Sequence, residues 1–435
     1  MPRAGWRKSE SDRRLPDLVS VGLLMKVFPA EVVDVVIAEC GRTELRRRSL
    51  PARSMAYFAM GMAMHAEGSY EDVLALISDG VAWAQRDGDE PRLANKAAIS
   101  HARDRLGAEP MRRLFERVAA PLAGKGTAGC WLAGRRLVAI DGFCLDLPDT
   151  VANDEFFGRP GVNKGEGSAF PQARVVGLAE CGTHAIFDAV IGAYSTQENT
   201  LAAELLTRLR PGMLCLADRG FYSFAAWESA CSTGADLLWR VKGNLKLDPV
   251  QDLPDGSWLA EVFHSTADRQ RQHPRRVRVI EYTVDDGREP TGPYRLITTI
   301  LDHRKAPALE LAGAYAQRWE IETSFDELKT HQRGARAVLR SKSPELVRQE
   351  IWGHLCCHYA IRSLMFDAAE HAGHDPDRVS FVAALRISRR SIARPTGRFS
   401  PLTRTTSPSG SGGTRSASSC AGSYLAAGSA RTRAS

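Results

Sequence analysis

The sequence lacks long apolar segments and paired cysteines, and each absence excludes a class of protein. No apolar run approaches the roughly 20 residues that an α-helix needs to cross a bilayer, so we expect no membrane span. The nine cysteines are scattered and show no C-x-x-C spacing. This pattern indicates reduced thiols in a cytoplasmic protein rather than a disulfide framework.

The net excess of basic over acidic residues comes from the part of the chain after Asp377. The net charge is +7, but ten arginines and no acidic residue follow Asp377, which leaves 48 basic against 51 acidic residues up to that point. Contacts to nucleic acid must therefore come from local basic clusters and not from a field over the whole molecule.

The composition changes along the chain and divides it into four segments. Residues 1–14 form a basic leader, and residues 15–122 carry apolar positions at three-to-four spacing, which predicts an all-α N-terminal domain. Residues 123–394 mix short apolar runs with helical patterns and predict an α/β domain. Residues 395–435 are rich in Ser, Gly, Ala and Arg, which predicts a low-complexity, disordered tail.

The α/β segment has the element order of an RNase H-like core. RRLVAID and MLCLAD read as buried strands that end at Asp141 and Asp218. Between them, PQARVVGLAECG and HAIFDAVIGAY predict a hairpin that turns at Gly182-Thr183. QENTLAAELLTRLRPG predicts a helix capped by Asn199 and ended by Pro211-Gly212. A further β-rich stretch over 237–305 reads as an insertion in this core.

One helical stretch, AYAQRWEIETSFDELKTHQR, combines an aromatic ring, two cations and a carboxylate at regular spacing. At about 100° per residue these side chains share one helix face; they are Tyr315, Arg318, Glu322 and Lys329. A carboxylate between cations suits metal-assisted chemistry on a phosphate backbone, where the ring can stack on a base. The alternative is a solvated helix whose charges pair along its surface.

Asp141, Asp218 and Glu322 form a candidate carboxylate triad. Adjacent strand ends can bring the two aspartates together, and a helix packed alongside can supply the glutamate. Phosphodiester cleavage needs an activated oxygen nucleophile and a stabilised leaving oxygen, which two Mg²⁺ ions about 3.5–4 Å apart provide.

These motifs together resemble a DDE transposase of the insertion element four family, which is marked by a Tyr-(2)-Arg-(3)-Glu-(6)-Lys signature. Tyr315, Arg318, Glu322 and Lys329 stand at that spacing. DGFCLDLPDT resembles the family block with the first aspartate, and LADRGFYSFAAW resembles the second. LPARSMAYFAMGMAM resembles part of its helical N-terminal domain.

The resemblance implies an RNase H-like catalytic core with a β-rich insertion, preceded by the all-α domain. It implies cut-and-paste transposition through a synaptic homodimer on terminal inverted repeats, in the bacterial cytoplasm with the nucleoid. Asp141, Asp218 and Glu322 would bind two Mg²⁺, with Mn²⁺ as a substitute. Tyr315, Arg318 and Lys329 would contact phosphates of double-stranded DNA near the cleaved end; the target DNA is a further partner.

Three other residues are candidates for DNA contacts. Trp319 could stack on a flipped base, although packing of its helix onto the core is an equal alternative. Arg240 and Lys242, in LLWRVKGN, resemble a basic strand of the insertion that follows the DNA backbone.

GHLCCHYA is a competing metal motif, because His354 and His358 lie four residues apart on a predicted helix. That spacing can bind Zn²⁺. Cys356 and Cys357 lie between them, but the segment is apolar and no further ligand cluster is nearby. The pattern favours a core helix.

The tail departs from the family, which normally continues past FSPLTR with an ordered helical segment and a basic terminus. Its composition resembles GC-rich DNA translated out of frame, and our hypothesis is a frameshifted or truncated copy. Such a copy would bind element ends without productive catalysis, or inhibit transposition. A general RNase H-like nuclease would explain the acids but not the helix signature.

Overall fold

The computed structural model describes residues 15–44, 50–85, 94–161, 170–264, 274–283, 294–333 and 338–389. The predicted leader and the whole of the predicted tail, residues 395–435, lie outside the described residues, which end at residue 389. None of the described helices is long and apolar enough to cross a membrane.

The first part of the chain is helical, as predicted, and packs around a central helix. That helix, α3, is buried from Met55 to Met64, because its alanines and its glycine let neighbouring helices approach closely. A Cβ on Gly61 would lie 2.8 Å from the Ile77 side chain. The helices are α1 (Leu15–Val27), α2 (Ala30–Glu39), α3 (Ala52–Met64), α4 (Tyr70–Gln85), α5 (Lys96–Leu106) and α6 (Glu109–Val118).

The rest of the described chain forms a mixed sheet with helices on both faces. The strands are β1 (Trp131–Leu132), β2 (Arg135–Asp146), β3 (Gln172–Glu180), β4 (Ile186–Ala193), β5 (Met213–Ala217), β6 (Asp236–Arg240), β7 (Gln251–Asp252), β8 (Trp258–Val262), β9 (Arg275–Tyr282) and β10 (Tyr294–Thr298). The helices are α7 (Val151–Phe157), α8 (Glu198–Leu206), α9 (Phe224–Ser232), α10 (Ala308–Ala316), α11 (Trp319–Asp326), α12 (Pro344–Ala372) and α13 (Phe381–Arg389).

The strand order across the sheet is β4-β3-β2-β5-β6-β10-β9-β8-β7, with β1 beside β2. Strands β2, β5 and β6 are parallel, and the other neighbours are antiparallel. This order confirms the RNase H-like core. The strands of the insertion extend the core sheet directly, and β6, which lies within the predicted insertion, belongs to its parallel part.

Helix α12 joins the N-terminal helices to the sheet. A Cβ on Gly353 would lie 2.5 Å from the Ala59 carbonyl oxygen, so the backbones of α12 and α3 are in contact. The fully buried Arg103 of α5 donates to Gln349 of α12 over 2.9 Å. The N-terminal helices and one face of the sheet therefore share a single hydrophobic core.

Several predicted boundaries are wrong. Strand β2 does not end at Asp141 but runs on to Asp146, because β3 continues to pair with it beyond the end of β5. Helix α8 begins at Glu198 after Gln197, so Asn199 lies inside its first turn and is not the cap. The hairpin of β3 and β4 is confirmed.

The signature stretch is not one continuous helix. Helix α10 ends at Ala316, and the amides of Gln317 and Arg318 bond to carbonyls three residues earlier. Helix α11 then begins at Trp319, and a π-helical segment follows over Glu327–Gln332. The prediction of a single α-helical face is therefore wrong in its geometry.

Candidate active site

Two aspartates lie side by side because their strands are parallel neighbours in register. Ile140 of β2 pairs with Ala217 at the last residue of β5. Asp141 and Asp218 directly follow these two paired residues, at the carboxyl end of the parallel pairing of β2 with β5. The register therefore brings together the two strand-borne members of the predicted triad.

Arg318 links the first aspartate to the helix-borne glutamate. Its Nη1 lies 3.5 Å from Asp141 Oδ2, and its Nη2 donates to Glu322 Oε1 over 3.0 Å. The side chain of Arg318 is buried, and its Nε meets no acceptor among the described residues. One guanidinium thus neutralises two of the three candidate carboxylates.

The second aspartate has different partners. The Tyr315 hydroxyl donates to Asp218 Oδ1 over 3.3 Å, and Arg240 Nη1 lies 3.7 Å from the same oxygen. Arg240 is held over the ring of Tyr294 at 4.2 Å. Burial raises the pKa of Tyr315, so its hydroxyl stays protonated and remains a donor.

Tyr315 itself does not present its ring to solvent. This residue of α10 is 3% exposed, and its ring packs in the hydrophobic core. In this structure the ring cannot stack on a base, contrary to that part of the sequence interpretation. Its hydroxyl is the part that faces the site.

The environment of Asp141 disfavours its charge. Burial, with the nearby charges of Glu198 and Glu322, raises the pKa of Asp141 to about 6, although the Gly142 amide and Arg318 act in the opposite direction. A cation placed beside such a buried carboxylate strongly stabilises its charged form.

An open cleft of about 590 Å³ lies beside these groups. Its lining residues are Asp141, Gly142, Trp319, Glu322, Thr323, Phe325, Asp326 and Lys329. Trp319 is 54% exposed, and the Arg318 guanidinium lies 4.8 Å from its ring. Lys329 Nζ lies 5.8 Å from the ring of Phe143.

Lys242 lies apart from this cleft on an exposed turn after β6. The structure therefore brings Asp141, Glu322, Trp319 and Lys329 to one cleft, with Arg318 buried behind it. Asp218, Tyr315 and Arg240 form an adjoining group at the end of β5.

Comparisons with known proteins show which family the chain belongs to. Residues 18–116 match the insertion element 4 transposase N-terminal family, and residues 132–360 match the transposase DDE domain. The chain is 30% identical over 354 residues to the transposase InsG for insertion sequence element IS4 of Escherichia coli strain K12, covering 81% of this chain and 78% of that protein. The chain belongs to the insertion element 4 family of DDE transposases. The transposase is therefore an enzyme that cleaves and transfers DNA strands.

Among solved structures, a piggyBac transposase synaptic complex with hairpin DNA is a distant match. It shares 12% identity with this chain at a TM-score of 0.44, over 88% of this chain and 81% of that one.

Transposases with this domain generally use divalent metal ions. Among the described residues, no three His, Cys, Asp or Glu side chains lie close enough together to hold a metal ion. The donors nevertheless fit in type, because Asp141, Asp218 and Glu322 offer the hard carboxylate oxygens that Mg²⁺ prefers. Arg318 already places positive charge between two of these carboxylates.

The competing histidine motif belongs to the core of the transposase. His354 and His358 are buried on α12, and burial lowers the pKa of His354 to about 4. His354 lies against Gln332, and His358 Nε2 lies 3.2 Å from Glu327 Oε2. These contacts are structural, which supports the core-helix interpretation.

A fourth carboxylate, which the sequence patterns did not indicate, lies beside the aspartates. Glu198, in the first turn of α8, lies over Gly142, where an added Cβ would be 2.1 Å from its Oε1. Burial and the charge of Asp218 raise the pKa of Glu198, whereas Arg174 acts in the opposite direction. The one hint in the sequence was Gly142, directly after Asp141, because a glycine there leaves room for a side chain from another element.

Proposed function

We propose that this transposase catalyses cut-and-paste transposition of its own insertion sequence, by phosphodiester cleavage and strand transfer at terminal inverted repeats. The observation that carries the proposal is the bridge from Arg318 to Asp141 and Glu322 on the wall of an open cleft. This bridge supports phosphoryl chemistry in the cleft, because the Arg318 guanidinium can leave a carboxylate and pair with a DNA phosphate instead.

Asp141, Asp218 and Glu322 are the residues that would hold two Mg²⁺, with Mn²⁺ as a substitute. When bound, such ions activate the attacking oxygen and stabilise the leaving oxygen of an in-line displacement. The Tyr315 hydroxyl orients Asp218, and the Gly142 amide donates to Asp141 Oδ1 over 2.8 Å. Both hydrogen bonds hold the carboxylates in place before DNA binds.

The cations around the cleft are suited to the DNA backbone. Lys329 lies on the cleft wall, where its ammonium can pair with a phosphate near the cleaved end. Arg318 can exchange a carboxylate contact for a phosphate contact. Arg240, the last residue of β6, and the exposed Lys242 just after the strand would add two more cations along the DNA backbone.

Trp319 is the candidate for an unpaired base. More than half of the residue is exposed, its ring lines the cleft, and Arg318 lies against it. An exposed indole supported by a guanidinium is a stacking platform for any base. We further propose a synaptic homodimer on paired ends, acting at the nucleoid in the bacterial cytoplasm.

Excision in vitro tests the proposal. Purified protein, a DNA fragment that carries the element's own inverted repeats, and Mg²⁺ should yield strands cut at the repeat boundary. Glu322→Ala should yield none while still binding the fragment. A fragment of the same length without the repeats is the matched control.

The outcomes separate the alternatives. Cutting of the control fragment would indicate a general nuclease and contradict repeat-specific transposition. Binding to the repeats without cutting would indicate an unproductive end-binding copy. Repeat-specific cutting that survives in Glu322→Ala would remove that residue from the triad.

A further inference from the structure

The helix that carries Glu322 changes its winding just before the cleft-lining lysine. Helix α11 gives way to π-helical bonding over Glu327–Gln332, and Lys329 lies in the middle of that segment. π-Helical turns are rare and are frequent at functional sites. Something in this fold must stabilise the altered winding.

The first residue of the segment is held by a buried ion pair. Glu327 is 6% exposed and accepts a hydrogen bond from Arg362 Nε over 2.9 Å. Arg362 Nη2 donates to its other carboxylate oxygen. His358 Nε2 lies 3.2 Å from Glu327 Oε2. A buried carboxylate needs such partners, so this contact strongly constrains where Glu327 can lie.

The last residue of the segment is held by the same helix. Gln332 is fully buried, and its amide donates to the His354 carbonyl over 2.9 Å. His354, His358 and Arg362 follow one another at four-residue spacing on α12 and therefore form one stripe. We call these three residues the anchor stripe.

The anchor stripe can hold both ends only if the segment is π-helical. At 3.6 residues per turn, positions five apart on an α-helix point about 140° away from each other. In a π-helix the bonds join residues five apart, so such positions lie on the same side of the helix. Glu327 and Gln332 are five apart and contact the same stripe. The contacts with α12 thus select the π form.

We propose that the anchor stripe fixes the π winding of Glu327–Gln332 and in this way positions Lys329 on the cleft wall for the DNA phosphate. The inference rests on the proposed function, because it assigns Lys329 a use in the reaction. Glu327, Gln332 and the stripe are positioning residues, since they act through Lys329 and touch the core.

Gln332→Leu is the variant that tests this inference. It removes the hydrogen bond to α12 but, unlike Arg362→Ala, leaves no buried charge without a partner. Thr330→Ala is the matched control, because Thr330 lies in the same segment, is exposed, and bonds to Asp326 rather than to α12. Each change is made alone and together with Lys329→Ala.

If the stripe acts through Lys329, Gln332→Leu and Lys329→Ala each slow repeat-end cleavage, by about tenfold, and the double variant is no slower than Lys329→Ala alone. Thr330→Ala cuts at the wild-type rate. If the rate losses of the two single variants multiply in the double variant, the inference is overturned, because Gln332 would then act independently of Lys329. Melting temperatures of all variants show whether each is folded.

The salt dependence of end binding separates this inference from the proposed function. Lys329→Ala should reduce the slope of log K against log salt by about one, and Gln332→Leu should reduce it without a further loss in the double variant. If the wild type binds the repeat ends but does not cut them, the proposed function fails, whereas the salt slopes of the variants still decide this inference. Unchanged slopes in both single variants would overturn it.

Discussion

Replacing Asp141 with asparagine should stabilise the metal-free protein at neutral pH while abolishing cleavage. The carboxyl side chain is 19% exposed. Burial, with Glu198 and Glu322 nearby, raises its pKa from 3.8 to about 6. The folded protein therefore carries an unfavourable negative charge at pH 7.5. Asparagine has nearly the same shape and can still accept the hydrogen bond from Gly142.

The direction of the change in stability with pH follows from proton linkage. Because the folded state binds this proton more tightly than the unfolded state, the protein loses stability as pH rises from about 4 to about 6. A shift of about two units at about 1.4 kcal/mol per unit gives roughly 3 kcal/mol as an upper limit. The asparagine variant does not suffer this loss.

The assay is thermal unfolding in EDTA at pH 7.5 and pH 4. At the entropy of unfolding expected for a chain of this length, 3 kcal/mol raises the melting temperature by about 3 °C. The gain should vanish at pH 4, where the wild-type carboxyl is protonated. Asp326→Asn, on the exposed wall of the same cleft, is the control. A variant that melts at or below the wild type at pH 7.5 would refute the argument that burial governs Asp141.

Three further changes test the site. Asp218→Asn should abolish repeat-end cleavage and keep end binding in a gel-shift assay; retained cleavage would remove Asp218 from the triad. Gly142→Ala should displace the Glu198 carboxylate, which lies 2.1 Å from the added Cβ, and slow cleavage as much as Glu198→Ala does; wild-type cleavage rates in both variants would show that this carboxylate is dispensable. Lys242→Ala should lower the salt slope of DNA binding by about one, and an unchanged slope would place Lys242 off the DNA path.

Patterns that depend on neighbours along the chain predicted much of this fold. The helical spacing of the N-terminal segment and the alternation of apolar strands both indicated the observed elements. The two aspartates could be placed together because parallel strands in register bring their carboxyl ends to one edge, as Ile140 and Ala217 show.

Boundaries were predicted less well, because they are decided by pairing partners that are distant in sequence. Strand β2 runs past Asp141 because β3 continues beside it. The apolar alternation that marks a strand does not reveal how far its neighbour extends. For the same reason, the parallel pairing of β6 with β5 could not be predicted from its sequence.

The sequence by itself determined the family, because family membership depends on identities and spacings such as those of Arg318 and Glu322. It also predicted which residues carry the chemistry of the site. Only the tertiary structure decided how those side chains are presented. Burial turned the ring of Tyr315 inward, and α8 brought Glu198 over Gly142. The anchor stripe of α12 changed the winding around Lys329. Each of these outcomes comes from packing between segments far apart in the chain, which no local pattern encodes.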